Sequence, residues 1–200
     1  MKRDDPVYHA LFKYTQALSV ALGYRDSYTR VHSQRVRDLA ELLGVHCSLS
    51  EHEMAILKIG ASFHDIGKIG IPDDILRKPS AYDQCEKEQM RRHSLIGADI
   101  MLAMEVEGAD LAALLIRHHH EYFNGQGYPD GLAGEAIPVG SRIIGIVDSY
   151  DALSEKRPYH PAKPHTEIME ILRGESGQKH DPDLMRLFNE IIESSEFRTV

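Results

Sequence analysis

Residues 63–68 read Phe63-His64-Asp65-Ile66-Gly67-Lys68. An imidazole stands directly beside a carboxylate, and an ammonium follows four residues after the imidazole. On a helix, positions four apart share a face, and the neighbouring Asp lies on its flank. The hexapeptide gathers a nitrogen ligand, an oxygen ligand and a positive charge around one small volume. A divalent metal uses the first two, and an anionic oxygen on that metal is matched by the third. A buried His paired with Asp is also an ordinary core arrangement, so the rest of the chain decides.

The surrounding pattern is helical. Val7, Leu11, Tyr14, Leu18 and Leu22 predict an amphipathic helix over residues 7–22, a connector or dimer helix, ended by Gly23. Asp26 and Ser27 offer capping for a second helix with Val36, Leu39, Ala40 and Leu43 on its stripe, stopped by Gly44. His32 lies four and seven residues before Val36 and Leu39 and so faces inward. Ser50 and Glu53 make a capping box for a third helix, which ends in the hexapeptide. Gly67 and Gly70 break it, and Pro72 permits a short turn through Ile75 and Leu76.

After a loop at Pro79–Asp83, a helix rich in Glu and Lys leads to His93, beside Ile96, Ile100 and Met101. Leu111, Leu114, Leu115 and Ile116 predict a buried helix over 109–118 that runs into His118-His119-His120-Glu121. Packing explains three consecutive imidazoles poorly, because apolar residues fill a core at lower desolvation cost. Residues 122–131 hold three glycines, a proline and aromatic walls, which is the composition of a shaped loop. Pro138 opens a helix carrying Asp148 and Asp151 on an apolar background, where a buried carboxylate must be paired or metal-bound. Two further helices are predicted near 165–173 and 182–194, the last started by Asp181-Pro182. No strand alternation, repeat or low-complexity segment is present, so the fold class is all-α.

Bulk properties narrow the partners. The chain has 200 residues, 42% hydrophobic and 27% charged, which suits one soluble domain. No apolar run reaches the length of a bilayer span and no signal peptide opens the chain, so the expectation is cytoplasmic, without a membrane partner. Cys47 and Cys85 lack metal-knuckle spacing and read as free thiols. A formal net charge of −8 argues against long nucleic acid, while local cations still permit a small anionic ligand.

Collected together, His32, His64, Asp65, His93, His119, His120 and Asp148 are five imidazoles and two carboxylates on converging helices. That is too many for one octahedral ion with room for substrate, and it suits two metals sharing a bridging carboxylate. Two divalent ions held this way leave a local charge of about +2 in an acidic protein.

With these motifs in view, the chain resembles the HD-GYP family, a branch of the HD-domain phosphohydrolases. The likeness is carried by His64-Asp65-Ile66-Gly67-Lys68-Ile69-Gly70-Ile71-Pro72, His119-His120-Glu121, Gly127-Tyr128-Pro129, Asp148-Ser149-Tyr150-Asp151-Ala152-Leu153 and Arg157-Pro158-Tyr159. It covers roughly residues 25–188, and the motifs stand in order. The resemblance implies an HD-domain helical bundle with a GYP loop and additional C-terminal helices. The implied organisation is an N-terminal helix over 1–24, the HD-GYP domain over 25–194 and a tail over 195–200, with a homodimer as one arrangement. The implied activity is hydrolysis of cyclic di-GMP to pGpG, and onward to GMP in some members, with a metal-bridging hydroxide as nucleophile. Iron or manganese are the implied metals, and nickel, cobalt or zinc are compatible with the same donors. Diguanylate cyclases and other signalling proteins are the implied partners.

By position, His32, His64, Asp65 and Asp148 would form one metal site and His93, His119 and His120 the other, with Asp65 bridging. Lys68 would contact a scissile-phosphate oxygen, Arg157 the second phosphate or a base, and Tyr128 would border the base. Asp151 is expected either as a proton acceptor, as a partner orienting Lys68, or as a simple helix ion pair. The chain departs from the family at Val31 (usually Gly), Asn124 (Asp), His160 (Lys) and His180 (Phe). Tyr28 stands where three-metal members carry Glu, which favours two metals. His118 is expected to face away as a non-ligand. These departures keep two other readings open: a cyclic-dinucleotide-binding or interaction module with little turnover, and a hydrolase of another nucleotide such as cyclic GMP-AMP or a guanosine polyphosphate.

Overall fold

The structure, a computed structural model, describes residues 6–25, 27–155 and 162–199. The elements are α1 (Pro6–Arg25), α2 (Ser27–His46), α3 (Glu51–Phe63), a 3-10 turn (Ile66–Gly70), α4 (Asp73–Leu76), α5 (Gln84–Arg91), α6 (His93–Leu102) and α7 (Ala109–His118). A second 3-10 turn (Gly134–Ala136), α8 (Val139–Ser154), α9 (His165–Gly174) and α10 (Pro182–Ile192) complete the order. Among the described residues no strand forms. Pairing among them is limited to isolated bridges, Asn124 with Ala133 and Ser176 with His180. The all-α expectation holds.

The core lies between α2, α3, α7 and α8. α2 packs on α3 and α8, α3 on α7, and α6 on both α7 and the Ile66–Gly70 turn. Val36, Leu43, Ile59, Phe63, Ile116, Ile143 and Val147 are all buried. Their stripes leave the flanking positions of the same helices pointing at one another, and those positions hold the imidazoles and carboxylates.

Local chemistry explains most boundaries. Ser50 accepts from the Glu53 backbone and Glu53 returns the bond, so the capping box forms and starts α3. Asp83 and Glu86 do the same for α5, and Asp181 caps α10 with Pro182 at its first position. Two glycines behave differently from the reading of the sequence. Gly23 lies inside α1, which continues to Arg25; Leu22 is buried in the core and its packing outweighs the helix cost of glycine. Gly44 also lies inside its helix. A Cβ there would meet Leu57 Cδ2 at 2.8 Å and Met54 Cε at 2.9 Å, so the missing side chain admits α3 and does not stop α2. Asp26 lies outside the described residues.

α1 packs on α2, α3 and the Ile66–Gly70 turn, with Phe12 6.0 Å from Phe63. Arg25 ties its end to that turn: its guanidinium donates to the Ile71 carbonyl at 2.8 Å, to the Ile69 carbonyl, and to Asp73 at 2.7 Å. At the other terminus Thr199 reaches the Tyr150 hydroxyl. The helix predicted through His93 is broken at Arg92, so His93 opens α6 as its first residue.

Gly67 is the tightest point. A Cβ on it would lie 1.9 Å from the His93 carbonyl oxygen and 2.5 Å from the Gly97 nitrogen. Gly67→Ala is therefore expected to destabilise the chain by about 2–4 kcal/mol, because backbone must move. Gly174→Ala, with nothing within 4 Å of its Cβ, should be neutral or stabilising by about 0.4–1 kcal/mol. Urea denaturation of both variants reads the contrast; equal effects would contradict it.

Candidate metal centre

Four of the five inward imidazoles are held by a hydrogen bond from the ring's Nδ1. His64 follows the last residue of α3, and its Nδ1 donates to the Ala61 carbonyl at 2.8 Å. His93 donates to Met90 at 2.8 Å and His119 to Ile116 at 2.6 Å, each three residues back. A carbonyl only accepts, so these three rings carry their proton on Nδ1 and turn an Nε2 lone pair inward. His32 is oriented by a side chain: its Nδ1 lies 2.6 Å from Asp151 Oδ2.

The inward atoms form two sets. His32, His64 and Asp148 place their ligand atoms within 4.8 Å of one another, and so do His93, His119 and His120. In the first set, His32 Nε2 is 3.3 Å from His64 Nε2 and 3.1 Å from Asp148 Oδ1. In the second, His93 Nε2 is 3.4 Å from His119 Nε2. Asp65 lies between them. Its Oδ2 is 3.6 Å from His64 Nε2 and 3.8 Å from His32 Nε2, and its Oδ1 is 3.7 Å from His93 Nε2.

The donor set fits metal ions on two counts. Facing lone pairs at 3.4 Å repel unless an electrophile lies between them. With metal–nitrogen bonds of about 2.0–2.1 Å, two nitrogens on one ion lie about 2.9–3.4 Å apart, which matches the spacings here. His32, His64, Asp65, His93, His119, His120 and Asp148 are the residues that would hold the ions.

The electrostatics agree. Burial pushes the His119 imidazole down to about 3, helped by the imidazoles of His64 and His93. Burial also lowers His93, and holds His120 well below the usual histidine range. These rings stay neutral and keep their lone pairs. Burial would raise Asp65, but Lys68 and the surrounding imidazoles outweigh it and hold the carboxyl well below the usual range. Asp148 is likewise kept ionised against its burial, chiefly by His32. Burial alone would lower His32. Its hydrogen bonds to Asp148 and Asp151 win, and it is pushed up to about 9. In the metal-free chain a proton on His32 thus stands where an ion would neutralise the same carboxylates.

The other predicted residues fall as follows. Lys68 reaches the cluster edge, with Nζ 2.6 Å from Asp65 Oδ2 and its side chain 20% exposed. Asp151 sits behind His32 and is also gripped by Arg35, Nε to Oδ1 at 2.6 Å and Nη2 to Oδ2 at 3.0 Å. The Tyr128 ring stacks 4.9 Å from the His120 ring, and the Arg91 guanidinium lies 4.9 Å from its centroid. His118 turns away from the cluster to Asp130, at 2.8 Å. Arg157 and His160 lie outside the described residues, and the Tyr28 side chain is not described. Val31 is exposed.

The 122–131 loop is fastened beside this cluster. Glu121 Oε1 accepts from the backbone of Asp130 at 2.7 Å and Gly131 at 3.0 Å. Arg117 and His118 hold the Asp130 side chain. A Cβ on Gly127 would meet the Tyr122 nitrogen at 2.2 Å, so only glycine lets the loop fold back onto the end of α7. Asn124 shapes the loop too, accepting from the Gln126 backbone and donating to Gln178. Reading the sequence missed Arg35, Arg91 and Lys179. Arg35 had one available signal, being one turn beyond His32 on the same helix.

Comparison with known proteins places the chain among related folds. Residues 17–184 match the HD domain family. The chain is 38% identical over 165 residues to the cyclic di-GMP phosphodiesterase response regulator RpfG of Xanthomonas campestris, covering 82% of this chain and 44% of that protein. It is 35% identical over 173 residues to the 3'3'-cGAMP-specific phosphodiesterase 2 of Vibrio cholerae, covering 86% of this chain and 33% of that protein. The chain thus spans about a third to a half of the length of these relatives. The crystal structure of a cyclic GMP-AMP-specific phosphodiesterase of V. cholerae, V-cGAP3, superposes with a TM-score of 0.65 at 21% identity, over 83% of this chain and 44% of that one.

Two substitutions test the centre by elemental analysis and chelator competition. Asp65→Ala should abolish bound metal, since it removes the carboxylate facing both sets. Asp151→Asn should leave the ligands in place and cost about 10–100-fold in metal affinity, the usual effect of losing the group that orients a ligating His. Unchanged affinity in Asp151→Asn would contradict the orienting role.

Proposed function

Since the chain belongs to the HD-domain family, in its HD-GYP branch, we propose that it is a metal-dependent phosphodiesterase that hydrolyses cyclic di-GMP to pGpG. The observation that carries this is Asp65, set between two imidazole-rich triads with the Lys68 ammonium beside it. Bound ions supply Lewis-acid polarisation of a phosphoryl oxygen and lower the pKa of a water. The chain's own residues do the rest. The seven ligands fix where the phosphodiester must sit. The Lys68 ammonium meets the phosphoryl oxygens as negative charge grows on them. Asp151 keeps His32 in one tautomer and orientation, a positioning role that the hydrogen bonds of its two oxygens support. The Tyr128 ring borders the base, and Arg157 is the proposed contact to the second phosphate or a base.

The imidazole-rich set supports two ions, iron or manganese, with nickel, cobalt or zinc accepted by the same donors. The 35% identical relative named for 3'3'-cGAMP favours that hybrid dinucleotide as the second substrate to assay.

Reconstitution under anoxic conditions with Fe(II) or Mn(II), followed by chromatography of cyclic di-GMP, tests the activity. Linear pGpG is expected, and no linear product with either metal, or with nickel, cobalt or zinc in their place, contradicts the proposal. Lys68→Ala should retain metal and lose about 10²–10³-fold in kcat, the cost typical of removing one charge-stabilising donor. Loss of metal in that variant would instead give Lys68 a structural role.

A further inference from the structure

A cavity of about 330 Å³ adjoins the metal centre and shares His119, His120 and Asp148 with it. It lies at the lower end of the range for ligand cavities, roughly 300–1,000 Å³, which suits one base with its ribose and not a whole dinucleotide. Its lining includes the aromatic rings of Tyr122 and Tyr128 and the charged pair Glu175 and Lys179.

Those two charged residues are held on the wall by defined bonds. Lys179 Nζ donates to Ser149 Oγ at 2.9 Å and to Glu175 Oε2 at 3.4 Å, and lies 6.0 Å from the Tyr122 ring centroid. Ser149 is the residue after the ligand Asp148 and donates to the Gly145 carbonyl, so α8 fixes the ammonium relative to the metal centre. Glu175 Oε2 also accepts from His180 Nε2 at 3.1 Å. Among the described residues, its Oε1 makes no hydrogen bond. Burial would raise Glu175, but the His180 hydrogen bond is the larger effect, and with Lys179 it keeps the carboxyl below its usual range and ionised. The loop carrying Lys179 is tied to the Tyr122–Gly131 loop by backbone bonds, Phe123 N to Lys179 O at 3.1 Å and Asn124 N to Gln178 O at 2.9 Å. The wall is therefore built, not a chance of surface side chains.

We infer that this cavity is a guanine subsite, with Lys179 and Glu175 as its specificity-determining residues. The inference rests on the cyclic-dinucleotide reading of the adjacent centre. Guanine presents acceptors at O6 and N7 beside donors at N1 and N2. An ammonium next to a carboxylate on one wall is the complement of that edge. Adenine places a donor, its N6 amino group, where guanine has O6, and offers no donor at N1, so the same pair faces it with mismatched charge. Tyr122 and Tyr128 supply flat surface for stacking, which every base accepts. Selectivity thus falls to the charged pair and affinity to the rings.

The test reads binding, so it does not depend on turnover. The manganese-loaded full chain is titrated with GMP and with AMP by calorimetry. Wild type should bind GMP at least tenfold more tightly than AMP. Lys179→Met, which keeps the stem and removes the charge, should shrink that ratio below threefold with metal content unchanged, and Lys179→Arg should restore it. Glu175→Gln should also shrink it. Equal affinity for GMP and AMP in wild type, or a Lys179→Met variant that weakens both equally, would overturn the inference. A chain that prefers GMP yet cleaves no cyclic dinucleotide would contradict the phosphodiesterase reading and leave the guanine subsite standing.

Discussion

A buried carboxylate that faces two groups of imidazoles is the constraint on which this molecule depends. Asp65 is almost fully buried, and it is held ionised by Lys68 on one side and by His32, His64 and His93 around it. A buried charge without such company is costly by several kcal/mol. The company in turn brings its own burden. Lone pairs of the neutral His93 and His119 imidazoles face one another at 3.4 Å, and nothing in an apolar core relieves that. The arrangement makes physical sense when cations sit between the donors, and it explains why the chain invests in holding each ring.

That holding is distributed through the fold. Three rings are fixed by a carbonyl three residues back near a helix end, which for His93 is that of Met90 in the preceding α5. The fourth, His32, sits in mid-helix where no carbonyl is free, and it needs Asp151 and, behind that, Arg35. The layers of support therefore follow from where each ligand lies along its helix. Gly67 completes the design by allowing the Lys68 turn to press against the start of α6, so that His93 and Asp65 meet. The loop after α7 is tied down by Glu121 and lines the cavity beside the imidazole cluster.

Much of this was legible in the sequence because helical phase is. His32, His64, His93, His119, His120 and Asp148 each stand on a stripe or at its end, and the structure brings those residues together. The capping residues Ser50, Glu53, Asp181 and Pro182 marked two helix starts correctly. What phase does not give is distance between elements. Asp151 reads as a proton acceptor, a partner for Lys68 or a simple helix ion pair until the fold shows it behind His32. Gly23 and Gly44 read as stops because propensity alone opposes them, and tertiary packing overrides it. Lys179 and Arg91 were invisible because nothing near them in the chain hints at a cavity or a ring that is distant in sequence.

The central claim is that Asp65 joins two ions. Electron paramagnetic resonance of the manganese-loaded chain tests it most directly. A bridged pair should give an exchange-coupled spectrum, and substitution of Asp65 by Asn should abolish the coupling. An uncoupled six-line manganese signal from the fully loaded wild type would contradict the account.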